Sequence, residues 1–178
     1  EKKKKAQLLS CIQWIVCYPC VSNKVVSAGR GIFTLAVFNQ GDFVVEYRGE
    51  LIDAAEAEHR RKLYHNACSI FMFDFIWKRK TWCIDGALED GSFGRLVNDE
   101  HKAPNCRMKL IEAEGKPHLC VFALKEITAG TEITYDYGGK EWPWRKEVGH
   151  LDFFPMNWCQ GLKPIHLDIL ITMKSSLS

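Results

Sequence analysis

Gly130-Thr131-Glu132-Ile133-Thr134-Tyr135-Asp136-Tyr137-Gly138 is the most informative stretch of this 178-residue chain. It predicts a short strand over Glu132–Tyr135, entered from a turn at Thr128-Ala129-Gly130. Two tyrosines close together at a strand end can be ordinary core side chains, but their hydroxyl groups can also serve a reaction. The choice between the two depends on what the rest of the chain places beside them.

Residues 29–145 read as one dense unit, with short apolar runs separated by turn residues. Asp53 can cap a helix that runs to about Asn66, because Glu56 stands three residues later in the capping-box position. The pattern predicts a β-rich α+β fold with short connections. The absence of a GxGxxG motif and of strand–helix alternation argues against a nicotinamide cofactor. The predicted strands are residues 32–38, 43–47, 70–77, 81–85, 107–112, 118–125 and 132–135.

The composition is that of a globular domain, with 47% hydrophobic residues, 26% charged residues and a net charge of +2. This excludes disorder throughout, and the charge is too small to make nucleic acid the default partner of the whole domain. We expect residues 1–28 to be a basic and apolar extension and residues 146–178 to be a poorly anchored tail. The apolar run at residues 8–21 is shorter than the roughly 20 residues of a membrane-spanning helix.

The eight cysteines allow two interpretations. Several lie in apolar runs, as Cys83 and Cys120 do, and are typical of buried thiols in a reducing compartment. Cys11, Cys17 and Cys20 could supply three zinc ligands, but no clear fourth ligand follows them. Ordinary thiols are favoured, and a zinc-dependent interaction module stays open as a lower-ranked hypothesis.

Four segments, in this order and at this spacing, resemble the SET-domain lysine methyltransferases, in particular the PR-Set type branch that monomethylates histone H4. The segments are Gly29-Arg30-Gly31, Gly94-Arg95-Leu96-Val97-Asn98, Gly130 to Gly138, and Pro143-Trp144. The resemblance covers residues 29–145, which we take as the SET domain. It implies a β-rich SET fold with a knot-like C-terminal crossing and a short helical insertion at residues 53–66.

The resemblance also implies a reaction and its setting. S-adenosyl-L-methionine would be the cofactor, no metal would take part, and the methyl group would pass to a lysine of a histone H4 tail or nucleosome. Non-histone lysine peptides are further possible substrates. The protein would be a monomeric chromatin regulator in the nucleus, on the chromosome, with neither a membrane nor a sequence-specific nucleic acid as partner.

Three residues take catalytic roles by this resemblance. Tyr137 would orient the lysine amine and the methyl group. Tyr135 would line the lysine channel and limit how many methyl groups fit. Phe71 stands where the family has a channel tyrosine, so it keeps the apolar wall and lacks the hydroxyl.

The cofactor-binding residues follow from the same matches. Gly29, Arg30 and Gly31 would form a tight turn whose backbone lies close to the cofactor, where a Cβ would obstruct. Asn98 and Asp99 stand at the family's Asn-His pair, which touches the adenosyl group. Trp144 matches a tryptophan that stacks on the adenine ring.

The chain departs from the family pattern at the site itself. Asn98-Asp99-Glu100 replaces Asn-His-Ser, and Phe71 replaces a tyrosine. These changes leave a second hypothesis beside the methyltransferase: a catalytically weak or inactive SET-fold module that binds chromatin or a peptide.

Overall fold

A computed structural model describes residues 21–26 and 29–139 of the chain. The strands are β1 (Val21–Val26), β2 (Gly29–Thr34), β3 (Phe43–Tyr47), β4 (Glu50–Asp53), β5 (Met72–Trp77), β6 (Lys80–Asp85), β7 (Asn98–Asp99), β8 (Cys106–Ala113), β9 (Lys116–Ala123) and β10 (Glu132–Tyr135). The helices are α1 (Ala54–Leu63) and α2 (Asn66–Ser69), and a 3-10 turn spans Gly94–Leu96. The predicted β-rich α+β arrangement is confirmed. No helix in these residues is long and apolar enough to cross a membrane.

The larger sheet has seven strands in the order β1-β2-β10-β8-β9-β3, with β7 pairing β10 as well. Its core is aliphatic: Ile32 and Val121 are fully buried, and Ile133 of β10 joins them. Burying such side chains contributes about 1.5–3 kcal/mol each. The last predicted strand therefore lies in the middle of the structure, between strands that precede it in sequence.

The crossing of the C-terminal segment is visible in the strand pairing. β10 runs antiparallel to β2 but parallel to β7, with Thr134 opposite Asn98 and Tyr135 opposite Asp99. The buried Asn105 fixes this position, because its amide donates to the Glu132 carbonyl at 2.6 Å and accepts from the Thr134 N–H at 2.9 Å. The two segments that carry the predicted site residues thus lie side by side.

The smaller sheet has three strands in the order β4-β6-β5, with α1 packed on it. Asp53 is the N-cap of α1, as the sequence predicts, and its carboxylate accepts the Glu56 N–H at 2.9 Å. The helix ends earlier than expected, since Tyr64 adopts an extended conformation and its hydroxyl donates to Asp85 at 2.8 Å. A separate short helix, α2, then precedes β5.

Other differences from the predicted elements have a common cause in strand pairing. The strand predicted over residues 32–38 ends at Thr34, because β10 offers no residue beyond that point to pair with it. Leu35 and Val37 are consequently 51% and 57% exposed. β1, β4 and the two-residue β7 were not predicted, and β1 lies within residues 1–28.

Candidate active site

A cleft of about 220 Å³ lies where the two sheets meet. Five of the predicted site residues line it: Arg30, Phe71, Asn98, Tyr135 and Tyr137. The other lining residues are Tyr47, Ile70, Met72, Phe73, Asp74, Arg95 and Leu96. The structure therefore brings together residues from both ends of the domain, although they are far apart in sequence.

The tyrosine pair forms one side of the cleft. The Tyr137 hydroxyl donates to the Val97 carbonyl at 2.6 Å, and the rings of Tyr135 and Tyr137 lie 4.8 Å apart, centroid to centroid. Burial raises the pKa of both hydroxyl groups above the ordinary value for tyrosine. The neighbouring Tyr137 raises the pKa of Tyr135 further, and the Asp99 carboxylate raises the pKa of Tyr137 further. Both side chains are therefore neutral hydroxyl groups at physiological pH.

The opposite wall is built on Phe71, whose ring is 7% exposed. The Tyr47 hydroxyl donates to the Phe71 carbonyl at 2.7 Å and so holds its backbone. The Arg95 guanidinium lies over the ring, 4.0 Å from its centroid. Phe71 is thereby fixed on two sides.

Positive charge is concentrated at one end of the cleft. The Arg95 side chain is 1% exposed, and its Nε donates to the Gly86 carbonyl at 2.7 Å. Its Nη1 has no hydrogen-bond partner and lies 3.8 Å from a Glu89 oxygen. Glu89 also forms an ion pair with Arg30, which holds the pKa of Glu89 below its ordinary value. Two guanidinium groups thus share one carboxylate, which leaves this end of the cleft suited to an anionic group.

Gly29, Arg30 and Gly31 do not form the predicted tight turn. They are the first residues of β2, and Gly31 does not have a positive φ. A close approach explains the glycine instead: a Cβ on Gly31 would lie 2.6 Å from Glu132 Oε1 and 3.0 Å from Asn98 Nδ2. Those two atoms are hydrogen-bonded to each other at 2.7 Å, so a larger residue at Gly31 would press on the pair that orients Asn98.

Asp99 and Glu100 do not line the cleft. Asp99 Oδ1 accepts the Tyr137 N–H at 3.0 Å. Glu100 Oε1 accepts the N–H groups of Lys102 and Ala103, which lowers the pKa of that carboxyl. The two acidic replacements therefore bind the backbone of the crossing, and Asp99 holds the residue that carries the tyrosine hydroxyl.

Several predicted features lie outside the described residues: Trp144, which would stack on adenine, the tail, and the three cysteines that could hold zinc. Within residues 29–139 no group of His, Cys, Asp or Glu side chains is placed to hold a metal ion. No function is predicted from the sequence for four further residues at or beside the cleft: Tyr47, Glu89, Arg95 and Glu132. Two of these lie in segments that resemble the family and could have been predicted from them. Arg95 follows Gly94 in the segment that ends at Asn98, and Glu132 lies three residues before Tyr135.

Comparison with known proteins gives consistent results. The model of the family described as SET domain matches residues 29–138. N-lysine methyltransferase KMT5A-B of Xenopus laevis is 39% identical over 118 residues, covering 65% of this chain and 35% of the relative. Histone-lysine N-methyltransferase set-1 of Caenorhabditis elegans is 41% identical over 119 residues, covering 66% of this chain and 49% of the relative. The chain thus spans between a third and a half of the length of these two relatives.

A solved structure is also similar. The crystal structure of CpSET8 from Cryptosporidium superimposes with a TM-score of 0.67 at 28% sequence identity, covering 79% of this chain and 68% of that one.

Proposed function

This chain belongs to the SET-domain family, and we propose that it is a protein-lysine N-methyltransferase. It takes the methyl group from S-adenosylmethionine and monomethylates a lysine of the histone H4 tail. The similarity to N-lysine and histone-lysine methyltransferases supports the reaction class. The observation that carries the proposal is the half-buried Tyr137 hydroxyl, which lies in the cleft beside Tyr135 and donates to the Val97 carbonyl.

The residues present suit the proposed cofactor. Arg30 and Arg95, which line the cleft and share only one carboxylate, offer positive charge to a carboxylate, and Gly31 leaves room beside the Asn98 amide. When bound, S-adenosylmethionine supplies a methyl group that its sulfonium has already activated. Gly29, Arg30, Gly31 and Asn98 would hold it, with the backbone of Asp99 and the Trp144 side chain as the remaining proposed contacts.

The walls of the cleft would prepare the lysine. A lysine amine has an ordinary pKa near 10.4 and must lose its proton before it can attack. Phe71, Tyr135 and Tyr137 surround the cleft with aromatic surface, which desolvates an ammonium group and lowers its pKa. Because the Tyr137 hydroxyl donates its hydrogen bond to the Val97 carbonyl, its oxygen would meet the amine as a hydrogen-bond acceptor. The chain then contributes mainly alignment.

Tyr135 and Phe71 would set the product and the rate. Tyr135 is 2% exposed and narrows the channel, so it leaves little room for a second methyl group. Phe71 offers no hydroxyl to the amine, so one hydrogen bond of alignment is lost. We expect slow monomethylation.

Asp99 favours the enzyme over the inactive module. Its carboxylate binds the backbone N–H of Tyr137 and does not enter the cleft, so the replacement is compatible with a formed site.

A histone substrate would place the protein in the nucleus, on the chromosome, where it would act as a monomer on the H4 tail or on the nucleosome.

Two measurements test the function. Transfer of labelled methyl from the cofactor is measured on nucleosomes, free histones, and H4 peptides in which each lysine in turn is replaced by arginine. Calorimetry measures cofactor binding in parallel. Transfer that disappears with a single lysine supports the proposal. Absent cofactor binding, in protein shown to be folded, supports the binding module instead.

A further inference from the structure

The hairpin of β5 and β6 ends in three consecutive cations between two tryptophans, Trp77-Lys78-Arg79-Lys80-Thr81-Trp82. We call Lys78, Arg79 and Lys80 the cationic tip. All three side chains are exposed. The proposed lysine transfer does not use them, because none of them lines the cleft.

The turn residues are not the ones that the backbone prefers. Trp77 pairs with Lys80, which leaves a two-residue turn in which Lys78 and Arg79 have φ values of 50° and 65°. Such turns favour Asn-Gly or Gly-Gly, because other residues are strained in the left-handed region. Two long cationic side chains at these positions therefore oppose the stability of the turn, which points to a role outside the fold.

The base of the hairpin is held in place. The Trp77 indole N–H donates to Glu112 at 3.0 Å, and its ring packs on that of Trp82 with the centroids 5.8 Å apart. Lys78 forms an ion pair with the same Glu112 at 3.2 Å and lies over the Trp77 ring. Its charge is thereby matched. Within residues 29–139, Arg79 and Lys80 have no ion pair, so their charges are available to a partner.

We propose that the cationic tip binds the phosphate backbone of duplex DNA, without reading its sequence. Guanidinium and ammonium groups suit phosphate oxygens, and contacts to phosphate carry no sequence information. This deepens the proposed function and rests on it for its biological setting. Phe71 to Asp74, at the start of the hairpin, line the cleft, and Arg79 lies about six residues, roughly 20 Å, further along. A nucleosome offers a histone tail to the cleft and DNA to the tip.

Binding of the full chain to a labelled DNA duplex of random sequence, measured by fluorescence anisotropy over a range of salt concentrations, tests the proposal. The test variant is Arg79→Gly with Lys80→Gln, which removes two charges and relieves one strained residue. The matched control is Lys102→Gln with Lys125→Gln, which removes two exposed charges elsewhere. Arg79→Lys preserves the charge.

We expect the test variant to lower the slope of log K against log salt by about 2, since each phosphate contact contributes roughly 0.9. Its affinity for DNA should fall several-fold more than that of the control, while Arg79→Lys stays close to the unmutated protein. Equal losses in the test and control variants, or an unchanged salt slope, overturn the proposal. So does a loss of affinity for acidic peptides without a loss for DNA. Because this assay needs no methyl transfer, its outcome is independent of whether the enzyme is active, and transfer to a free peptide should be the same in all variants.

Discussion

Replacing Tyr137 by Phe removes one hydroxyl from the centre of the proposed site. The hydroxyl donates a hydrogen bond to the Val97 carbonyl at 2.6 Å, and the substitution removes that bond. The expected loss of folding stability is about 0.5–1.5 kcal/mol. The expected effect on turnover is larger, because a positioned polar group in a water-excluded site contributes about 2.7–4 kcal/mol to the barrier, or roughly 10²–10³ in rate.

Tyr64→Phe is the matched control for this prediction. Its hydroxyl also makes one short hydrogen bond, to Asp85 at 2.8 Å, but it does not line the cleft. Labelled methyl transfer to an H4 peptide and urea unfolding are measured on both variants. Both should lose comparable stability, and only Tyr137→Phe should lose turnover. The reasoning is refuted if Tyr137→Phe keeps most of its activity while folded, or if Tyr64→Phe loses the same share.

Four further predictions concern the walls of the cleft, the Asp99 contact and a buried thiol. Phe71→Tyr should raise the rate without changing the product, because it restores a hydroxyl for the amine. Tyr135→Phe should permit dimethylation, because removing the hydroxyl frees volume beside the amine. Mass spectrometry of the peptide measures the product of both variants. Asp99→Ala should lower activity roughly tenfold, because it removes one hydrogen bond that contributes about 1 kcal/mol. Asp99→Asn should keep most of the activity, because its amide oxygen can still accept the Tyr137 N–H. Finally, the free energy of unfolding should fall as the pH rises above about 9, because burial raises the pKa of the Cys106 thiol from 9.0 to about 12 and the unfolded chain loses that proton first.

Three outcomes would contradict the predictions for Tyr135, Asp99 and Cys106. Abundant dimethyl-lysine from the unmutated protein would show that Tyr135 does not control the channel. Equal activity of the alanine and asparagine variants would remove Asp99 as a positioning residue. The thiol argument would be contradicted by urea titrations in which the free energy of unfolding stays constant between pH 9 and pH 11. It would also be contradicted if this free energy begins to fall at the same pH in Cys106→Ala as in the unmutated protein.

Local patterns in the sequence were sufficient for much of the fold. Asp53 and Glu56 marked the helix start because a cap depends on neighbouring residues only. The turn before Lys80 and the limits of β3 (Phe43–Tyr47) were also predictable, because both depend on residues that are neighbours in sequence. The end of β2 was not, because the apolar composition of Leu35 and Val37 is typical of a strand, while the partner that would pair with them stops earlier.

The site shows a similar division. The resemblance selected Tyr135, Tyr137 and Asn98, and the cleft contains all three. It could not show that Tyr47 anchors the backbone of Phe71, or that Glu89 lies between two arginines, because these contacts join segments that carry no shared motif. For Asp99 the residue type suggested an added charge near the cofactor, whereas its contact is with the backbone of Tyr137.

The parallel pairing of β7 with β10 has a consequence for the order in which the molecule assembles. Asn98 and Asp99 reach their final neighbours only after the whole β8–β9 hairpin has been made and Thr134 has arrived. Closing the loop between β7 and β10 lowers the chain entropy before any contact between the two strands can stabilise it. The pairing of β7 with β10 is therefore expected to come late in folding. During synthesis the smaller sheet, with its helix and cationic tip, can form while the tyrosines are still inside the ribosome. A chain cut short before residue 130 would lack Tyr135 and Tyr137, so the proposed site can form only after synthesis has passed β10.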